Sequence, residues 1–207
     1  MKAKVLIVDD YTMPRTVFEI AIEKSNRFEL AASLSSAEAA VAYCNENPVD
    51  LILMDIVMIS GISGMEASRR IKQAHPGIKI ILVTSMPEVT FLRRAREIGV
   101  ESFWYKEVQE MPILEIMYRT MDGESIYPEA APATRLGNIP SSDLTPRELD
   151  VLRELTGGLT NQEIAAKMNV SVQAVKMHVT NMLQKTGFQS RLELALHARI
   201  EGIVIKE

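Results

Sequence analysis

Four largely apolar stretches in the first half of the chain each end at a polar side chain, and this pattern constrains the fold most. Such short apolar runs are typical of strands buried on both faces of a parallel sheet. The carboxyl ends of parallel strands lie together at one edge, where ligands bind. We therefore expect the terminal polar groups to converge there. They are Asp9 and Asp10 after residues 5–8, Asp55 after 51–54, Thr84 after 78–83, and Lys106 after 102–105.

Strand and helix patterns alternate along residues 1–122. The predicted strands lie near 4–8, 29–34, 49–54, 78–84 and 101–105, and the predicted helices near 14–25, 36–46, 65–74, 88–98 and 109–122. Five successive strand–helix units indicate a parallel sheet, because parallel strands need long crossover connections that are usually helical. We therefore predict a doubly wound α/β domain with five parallel strands.

The rest of the chain is predicted to be a linker, residues 123–143, and an all-α domain, residues 144–207. The linker carries three prolines and no amphipathic period. The all-α domain carries four helix-capping signals, and a glutamate follows three of them at the capping-box position. These signals are at Thr145, Thr160, Ser171 and Ser190. They predict helices at about 146–156, 161–168, 172–186 and 191–201, and the tight turn between the second and third indicates a helix-turn-helix.

Composition excludes several classes of protein. The chain has 47% apolar residues, a net charge of −4 and one cysteine, Cys44, so it is not stapled by internal disulfides. It has no run of roughly 18 apolar residues and no signal-peptide pattern, so we expect a cytoplasmic protein without a membrane partner. Residues 164–192 contain no acid but several basic side chains. This local basic stripe favours nucleic-acid binding in spite of the negative total.

The polar groups predicted at the sheet edge suit phosphoryl transfer onto a carboxylate. Three aspartates close together are unfavourable unless a cation is present or one of them is protonated. Mg²⁺ prefers carboxylate and phosphate oxygens, while an ammonium and a hydroxyl can contact a phosphoryl group. Asp55 stands alone at its strand end and is the best candidate nucleophile.

Residues 3–122 resemble the receiver domain of bacterial two-component response regulators, which has a flavodoxin-like fold. The matching motifs are Val8-Asp9-Asp10, Leu53-Met54-Asp55-Ile56, Gly64-Met65-Glu66, Val83-Thr84-Ser85 and Tyr105-Lys106. The resemblance implies that Asp55 accepts a phosphoryl group from a cognate histidine kinase. It further implies the following roles: Asp9, Asp10, Asp55 and the Val57 carbonyl as Mg²⁺ ligands, Thr84 and Lys106 as phosphoryl contacts, and Phe103 as the aromatic switch residue.

Two features near Asp55 differ from the usual receiver pattern. The loop 58–64 lacks the usual proline and has one extra residue, and Tyr11 is bulkier than the residue that normally follows the acid pair. We expect both differences to affect metal affinity and the rate of phosphorylation.

Residues 144–207 resemble the LuxR-type helix-turn-helix of the NarL/FixJ subfamily. The motifs are Leu144-Thr145-Pro146-Arg147-Glu148, Val151-Leu152, Gly158-Leu159-Thr160-Asn161-Gln162-Glu163-Ile164-Ala165 and Val175-Lys176-Met177-His178-Val179. In helix 172–186 the expected buried stripe is Val172, Val175, Val179, Met182 and Leu183. Lys176, Met177 and Thr180 are implied base readers, and Gln173 lies among them with adenine-pairing chemistry. The expected phosphate contacts are Thr160, Asn161, His178, Asn181, Lys185 and Arg191. The last helix, around residues 194–200, is implied to help dimerisation.

The resulting hypothesis is a DNA-binding response regulator whose phosphorylation on Asp55 controls dimerisation and transcription, with RNA polymerase as a further partner. It is not expected to be an enzyme beyond phosphorylation and dephosphorylation of Asp55. One alternative is a phosphorylation-independent DNA-binding regulator that uses its receiver only as a dimerisation scaffold. Others are a phosphohydrolase with an aspartyl-phosphate intermediate and, for the helical part, a protein-binding adaptor.

Overall fold

The computed structural model describes residues 2–88, 90–106 and 111–204. The chain divides into two compact units. Of the described residues, the first unit comprises those through Ser85 and those within Leu92–Glu129, and the second comprises those within Met86–Phe91 and those from Ala130 to Val204. No helix in the described ranges is long and apolar enough to cross a membrane.

The first unit contains a five-stranded parallel sheet with the order β2-β1-β3-β4-β5, which confirms the predicted doubly wound fold. The strands are β1 (Ala3–Val8), β2 (Phe28–Leu34), β3 (Leu51–Asp55), β4 (Lys79–Thr84) and β5 (Ser102–Tyr105). The helices between and after them are α1 (Thr12–Glu23), α2 (Ala37–Glu46), α3 (Gly64–Ala74), α4 (Phe91–Ile98) and α5 (Ile113–Met121).

The register of the strands brings their carboxyl ends to one edge. Val8 at the end of β1 pairs with Met54, Asp55 pairs with Val83, and Thr84 pairs with Tyr105. All five residues of the central strand β3 are buried. Burial on both faces explains why this strand is continuously apolar until its last residue.

Two helices begin later than the sequence pattern predicts. The fourth, predicted from about residue 88, begins at Phe91, after a turn in which the Phe91 amide donates to the Glu88 carbonyl. The fifth, predicted from about residue 109, begins at Ile113, and residues 107–110 lie outside the described part of the chain. Pro112 is the N-cap of this helix and has extended backbone.

The second unit consists mainly of four helices: α6 (Pro146–Thr156), α7 (Asn161–Met168), α8 (Val172–Thr186) and α9 (Arg191–Ile200). A short antiparallel pair, β6 (Arg135–Leu136) and β7 (Ile139–Pro140), and a 3₁₀ turn precede them. The pair belongs to residues 123–143, which the sequence suggested to be a linker. Leu136 is fully buried in the core of the helical unit, so this part of the segment packs with the helices.

The helix ends of the second unit follow the capping signals closely. Thr145 and Thr160 both form complete capping boxes with the glutamate three residues later. Asn169 ends α7 in the left-handed conformation (φ 53°), which allows the tight turn into α8. The predicted box at Ser190 forms only in part, because the Glu193 carboxylate accepts from the Gln189 amide instead of the Ser190 amide.

Glu148 combines its capping role with an ion pair to α8. Its carboxylate lies 2.8 Å from the Lys185 ammonium and is almost fully buried. Burial alone would raise the pKa of Glu148, but the Lys185 ammonium and the Thr145 amide and hydroxyl outweigh it and lower the pKa. The pair therefore stabilises the fold while Glu148 is ionised.

Glu148→Gln is expected to lower the free energy of unfolding by about 1–2 kcal/mol at neutral pH, since it removes a charged hydrogen bond. Because the folded pKa lies below the unfolded value of about 4.3, this difference from wild type should disappear as the pH falls below that value. Urea unfolding at several pH values measures it. Glu163→Gln is the matched control, since the Glu163 carboxylate caps with Thr160 and not with a lysine. An equal loss of unfolding free energy in Glu148→Gln and Glu163→Gln would contradict the role of the ion pair.

Candidate functional site

Three carboxylates meet at the carboxyl edge of the sheet. Asp9 and Asp10 follow β1, Asp55 ends β3, and one ligand oxygen from each lies within 4.8 Å of the others. Asp9 is fully buried and Asp55 is 5% exposed. The structure therefore brings together acids that are 45 residues apart in the chain, as the strand-end pattern predicts.

The Lys106 ammonium bridges two of these acids. Its Nζ lies 2.6 Å from Asp9 Oδ2 and 2.7 Å from Asp55 Oδ1. Burial alone would lower the pKa of Lys106, but the Asp55 and Asp9 carboxylates raise it. Lys106 is therefore a fixed positive charge beside Asp55.

Burial also dominates the ionisation of Asp55. It raises the pKa of Asp55 to about 7, and the nearby Lys106 ammonium offsets only part of this effect. When all three carboxylates are ionised, the one ammonium leaves about two negative charges uncompensated. A divalent cation has the charge that balances them.

The donor set fits Mg²⁺. Asp10 Oδ2 accepts from the Ile59 amide, whereas Asp10 Oδ1 is buried and has no hydrogen-bond partner among the described residues. An unpartnered buried carboxylate oxygen is costly, and a cation would satisfy it. Val57, whose carbonyl the resemblance implies as a further ligand, lies in the loop directly after β3.

Thr84 and Phe103 lie on the neighbouring strands. Thr84 is fully buried at the end of β4, and its carbonyl accepts from the Lys106 amide at 2.9 Å. Phe103 is buried and packs against Tyr105, with ring centroids 4.9 Å apart. Tyr105 is paired with Thr84 in the sheet, and Phe103 is paired with Leu82, two residues earlier on both strands. The sequence placed Tyr105 in the apolar run of β5 and in the Tyr105-Lys106 motif but did not predict its packing against Phe103.

Two further residues shape the edge. The Tyr11 amide donates to Asp9 Oδ1 at 2.9 Å, and the Tyr11 side chain is mostly exposed. Gly64 begins α3, and a Cβ there would lie 1.8 Å from the Asp55 carbonyl oxygen. Only glycine allows α3 to approach the end of β3 this closely.

Mg²⁺ is expected to raise the thermal stability of the full-length protein. A ligand that binds only the folded state at a hundredfold excess over its Kd adds about 2.7 kcal/mol. Thermal unfolding with MgCl₂, compared with NaCl of equal ionic strength, measures this. Asp10→Asn keeps an oxygen for the Ile59 amide but removes the charge, so it should lose most of the Mg²⁺ effect. The same stabilisation in this variant would argue against the site.

The helix-turn-helix presents one exposed face of α8. Gln173, Lys176, Met177 and Thr180 are all exposed, and their i, i+3, i+4, i+7 spacing places them on the same face. Met177 is 52% exposed, so it is not a core residue.

The expected buried stripe of α8 forms at Val175, Val179 and Met182, and Leu183 is partly buried. The expectation for Val172 is wrong: it is 36% exposed because it lies in the first turn of the helix.

The six expected phosphate contacts differ in their surroundings. Thr160 is exposed at the start of α7, while His178 and Asn181 are partly exposed on α8. Arg191 donates to Asn161 Oδ1 at 3.0 Å and to the Leu159 carbonyl at 2.7 Å. Lys185, as described above, is engaged by Glu148. Arg191 and Lys185 thus have partners within the unit, which sequence spacing alone does not reveal.

Each of the two units matches a known protein family. A family model for the response regulator receiver domain matches residues 5–118, and one for bacterial regulatory proteins of the luxR family matches residues 142–198. The response regulator protein VraR of Staphylococcus aureus is 33% identical over 203 residues, which cover 96% of this chain and 97% of VraR.

Solved structures share the fold at low identity. One contains two RcsB dimers bound to two parallel DNAs; its TM-score is 0.66 at 18% identity, covering 96% of this chain and 98% of that chain. Another is RcsB from Salmonella enterica serovar Typhimurium bound to promoter rprA in the presence of phosphomimetic BeF3⁻. Its TM-score is 0.61 at 18% identity, covering 95% and 98%. The chain belongs to the response regulator family: it is a two-component response regulator with a receiver domain and a LuxR-type helix-turn-helix that binds DNA.

Proposed function

We propose that Asp55 is the phosphoacceptor, that a cognate histidine kinase phosphorylates it, and that this step controls dimerisation and DNA binding. The observation that carries the proposal is the buried cluster of three acids bridged by Lys106. Asp55 is the acid of this cluster that ends a strand, and its carboxylate is held by the Lys106 ammonium at 2.7 Å.

Each group at the edge has a separate task in the proposed reaction. Asp55 attacks the phosphorus atom of the donor, a carboxylate oxygen–phosphorus bond forms, and the donor's leaving group departs with the electron pair of the broken bond. Lys106 holds the carboxylate and afterwards neutralises charge on the phosphoryl oxygens, and the Thr84 hydroxyl donates to one of them. Asp9, Asp10, Asp55 and the Val57 carbonyl would hold Mg²⁺, which supplies charge neutralisation.

DNA recognition is assigned to α8 and its neighbours. Its exposed face, defined by Gln173, Lys176, Met177 and Thr180, carries side chains that can read base edges in the major groove. The contacts to DNA phosphates, which fix the position of the protein on the duplex, are assigned to Thr160, Asn161, His178, Asn181 and Arg191. Lys185 is a weaker candidate for such a contact because Glu148 holds it. The residue ranges 1–122 and 144–207 are proposed as the functional domains.

Dimerisation is assigned to α9 in the helical unit. Leu192, Leu196 and Ile200 recur every four residues on this helix and are 76%, 54% and 67% exposed. An exposed apolar stripe of this kind is typical of a protein interface. A dimer would place two α8 helices on half-sites about one DNA turn apart.

The oligomeric state tests the proposal against the scaffold alternative. Sedimentation velocity of the full-length protein with Mg²⁺ should show a monomer without acetyl phosphate and a dimer with it. A dimer with the same dissociation constant with and without acetyl phosphate would favour a receiver that serves only as a dimerisation scaffold.

A further inference from the structure

The loop between β3 and α3, residues 56–63, is held by two carboxylates from other parts of the chain. The Ile59 amide donates to Asp10, and the Ile62 amide donates to Glu38 Oε1 at 2.6 Å. This is the loop that lacks the usual proline and has an extra residue. The Glu38 contact connects it to the first turn of α2.

Glu38 is itself oriented toward the loop. The hydroxyl of Ser36, the N-cap of α2, donates to Glu38 Oε2 at 3.1 Å. Gly61 has a left-handed conformation (φ 83°), and a Cβ there would lie 2.2 Å from Glu38 Oε1 and 2.6 Å from Oε2. The carboxylate therefore packs directly on the loop backbone, and glycine leaves the space for it. The Ile62 amide also lowers the pKa of Glu38, so its carboxyl is ionised at neutral pH.

Apolar burial does little to hold this part of the loop. Ile59 is 73% exposed, and Ser60 and Gly61 are also exposed. With no proline to restrict the backbone, the two charge-assisted hydrogen bonds are the main restraints on residues 59–62 that the structure describes.

The loop and the cation site share one residue. Asp10 gives one oxygen to the Ile59 amide, while its other oxygen is the buried, unpartnered one beside Asp9 and Asp55. The position of the loop thus sets the orientation of a proposed metal ligand. Val57, another proposed ligand, belongs to the same loop.

We infer that Glu38 is a positioning residue for the phosphorylation site: by holding the Ile62 amide it keeps the loop, Asp10 and Val57 in the arrangement that binds Mg²⁺. This inference rests on the proposed function, because it requires a cation at the three aspartates. Glu38 does not touch the cation or the phosphoryl group and acts through the loop backbone.

Three variants of the full-length protein test the inference. Glu38→Ala removes the acceptor, Glu38→Gln keeps a carbonyl acceptor without the charge, and Glu46→Ala removes an exposed acid at the other end of the same helix. Calorimetric titration with MgCl₂ gives the Mg²⁺ affinity, and hydrogen exchange gives the protection of the Ile62 amide. We expect Glu38→Ala to bind Mg²⁺ about fivefold more weakly and to exchange the Ile62 amide faster. Glu38→Gln should keep most of the Mg²⁺ affinity and most of the protection of the Ile62 amide. Glu46→Ala should match wild type in both measurements.

The possible failures are distinguishable. Wild-type Mg²⁺ affinity in Glu38→Ala, or an equal loss in Glu46→Ala, would overturn the inference and leave the proposed function intact. Unchanged exchange of the Ile62 amide in Glu38→Ala would show that the contact does not hold the loop. A wild-type protein that binds no Mg²⁺ would overturn the proposed function and this inference with it.

Discussion

Asp55→Asn is expected to incorporate no phosphoryl group when the full-length protein is incubated with acetyl phosphate and Mg²⁺. An amide oxygen is a poor nucleophile, whereas asparagine keeps the shape of the side chain and can still accept from Lys106. Wild type should gain one phosphoryl group per chain, which intact-protein mass spectrometry measures directly. The bond should be an acyl phosphate and therefore be cleaved by hydroxylamine.

Asp122→Asn is the control for this change. Asp122 is an exposed acid that pairs with Arg27 at the surface of the same unit, far along the chain from the three-acid cluster. It should be phosphorylated as wild type is. Phosphorylation of Asp55→Asn to the wild-type level would mean that another residue is the acceptor and would contradict the assignment.

Lys176→Glu is expected to weaken DNA binding by about a hundredfold or more. A lysine that pairs with a base edge contributes about 1–3 kcal/mol, and a carboxylate in its place is also repelled by the phosphates. Lys176 is exposed in α8, so the folded structure should tolerate the change. Fluorescence anisotropy measures the affinity, using a duplex selected from a random pool by the wild-type protein.

Lys24→Glu controls for the change in net charge. Lys24 is exposed at the end of α1, in the other compact unit, and should have little effect on affinity beyond a small change in salt dependence. Equal losses of DNA affinity in Lys176→Glu and Lys24→Glu would show that the total charge of the protein, and not the exposed face of α8, governs DNA binding.

Much of the fold could be predicted because local and long-range signals agree. The apolar strands end where the parallel sheet ends, and the Thr145 and Thr160 capping boxes lie where the helices begin. The starts of α4 and α5 were less predictable because turns and Pro112 shorten helices whose periodic pattern extends further. Burial of Leu136 in the helical unit was not predictable either, since two-residue strands leave almost no periodic signal.

The candidate site was predictable in its residue types but not in its contacts. Strand ends alone indicated that Asp9, Asp55 and Lys106 would meet. The pairing of Lys185 with Glu148 was not predictable, because it depends on how α8 packs on the start of α6. The contact of Glu38 with the loop likewise joins residues 24 positions apart without a motif.

The affinity of the full-length protein for its selected duplex, with and without acetyl phosphate and Mg²⁺, tests the central claim most directly. Phosphorylation of Asp55 is predicted to tighten binding by wild type at least about tenfold, the effect of roughly 1.4 kcal/mol, and to leave Asp55→Asn unchanged. Equal affinity of wild type under both conditions, with the phosphoryl group shown to be present, would contradict the account.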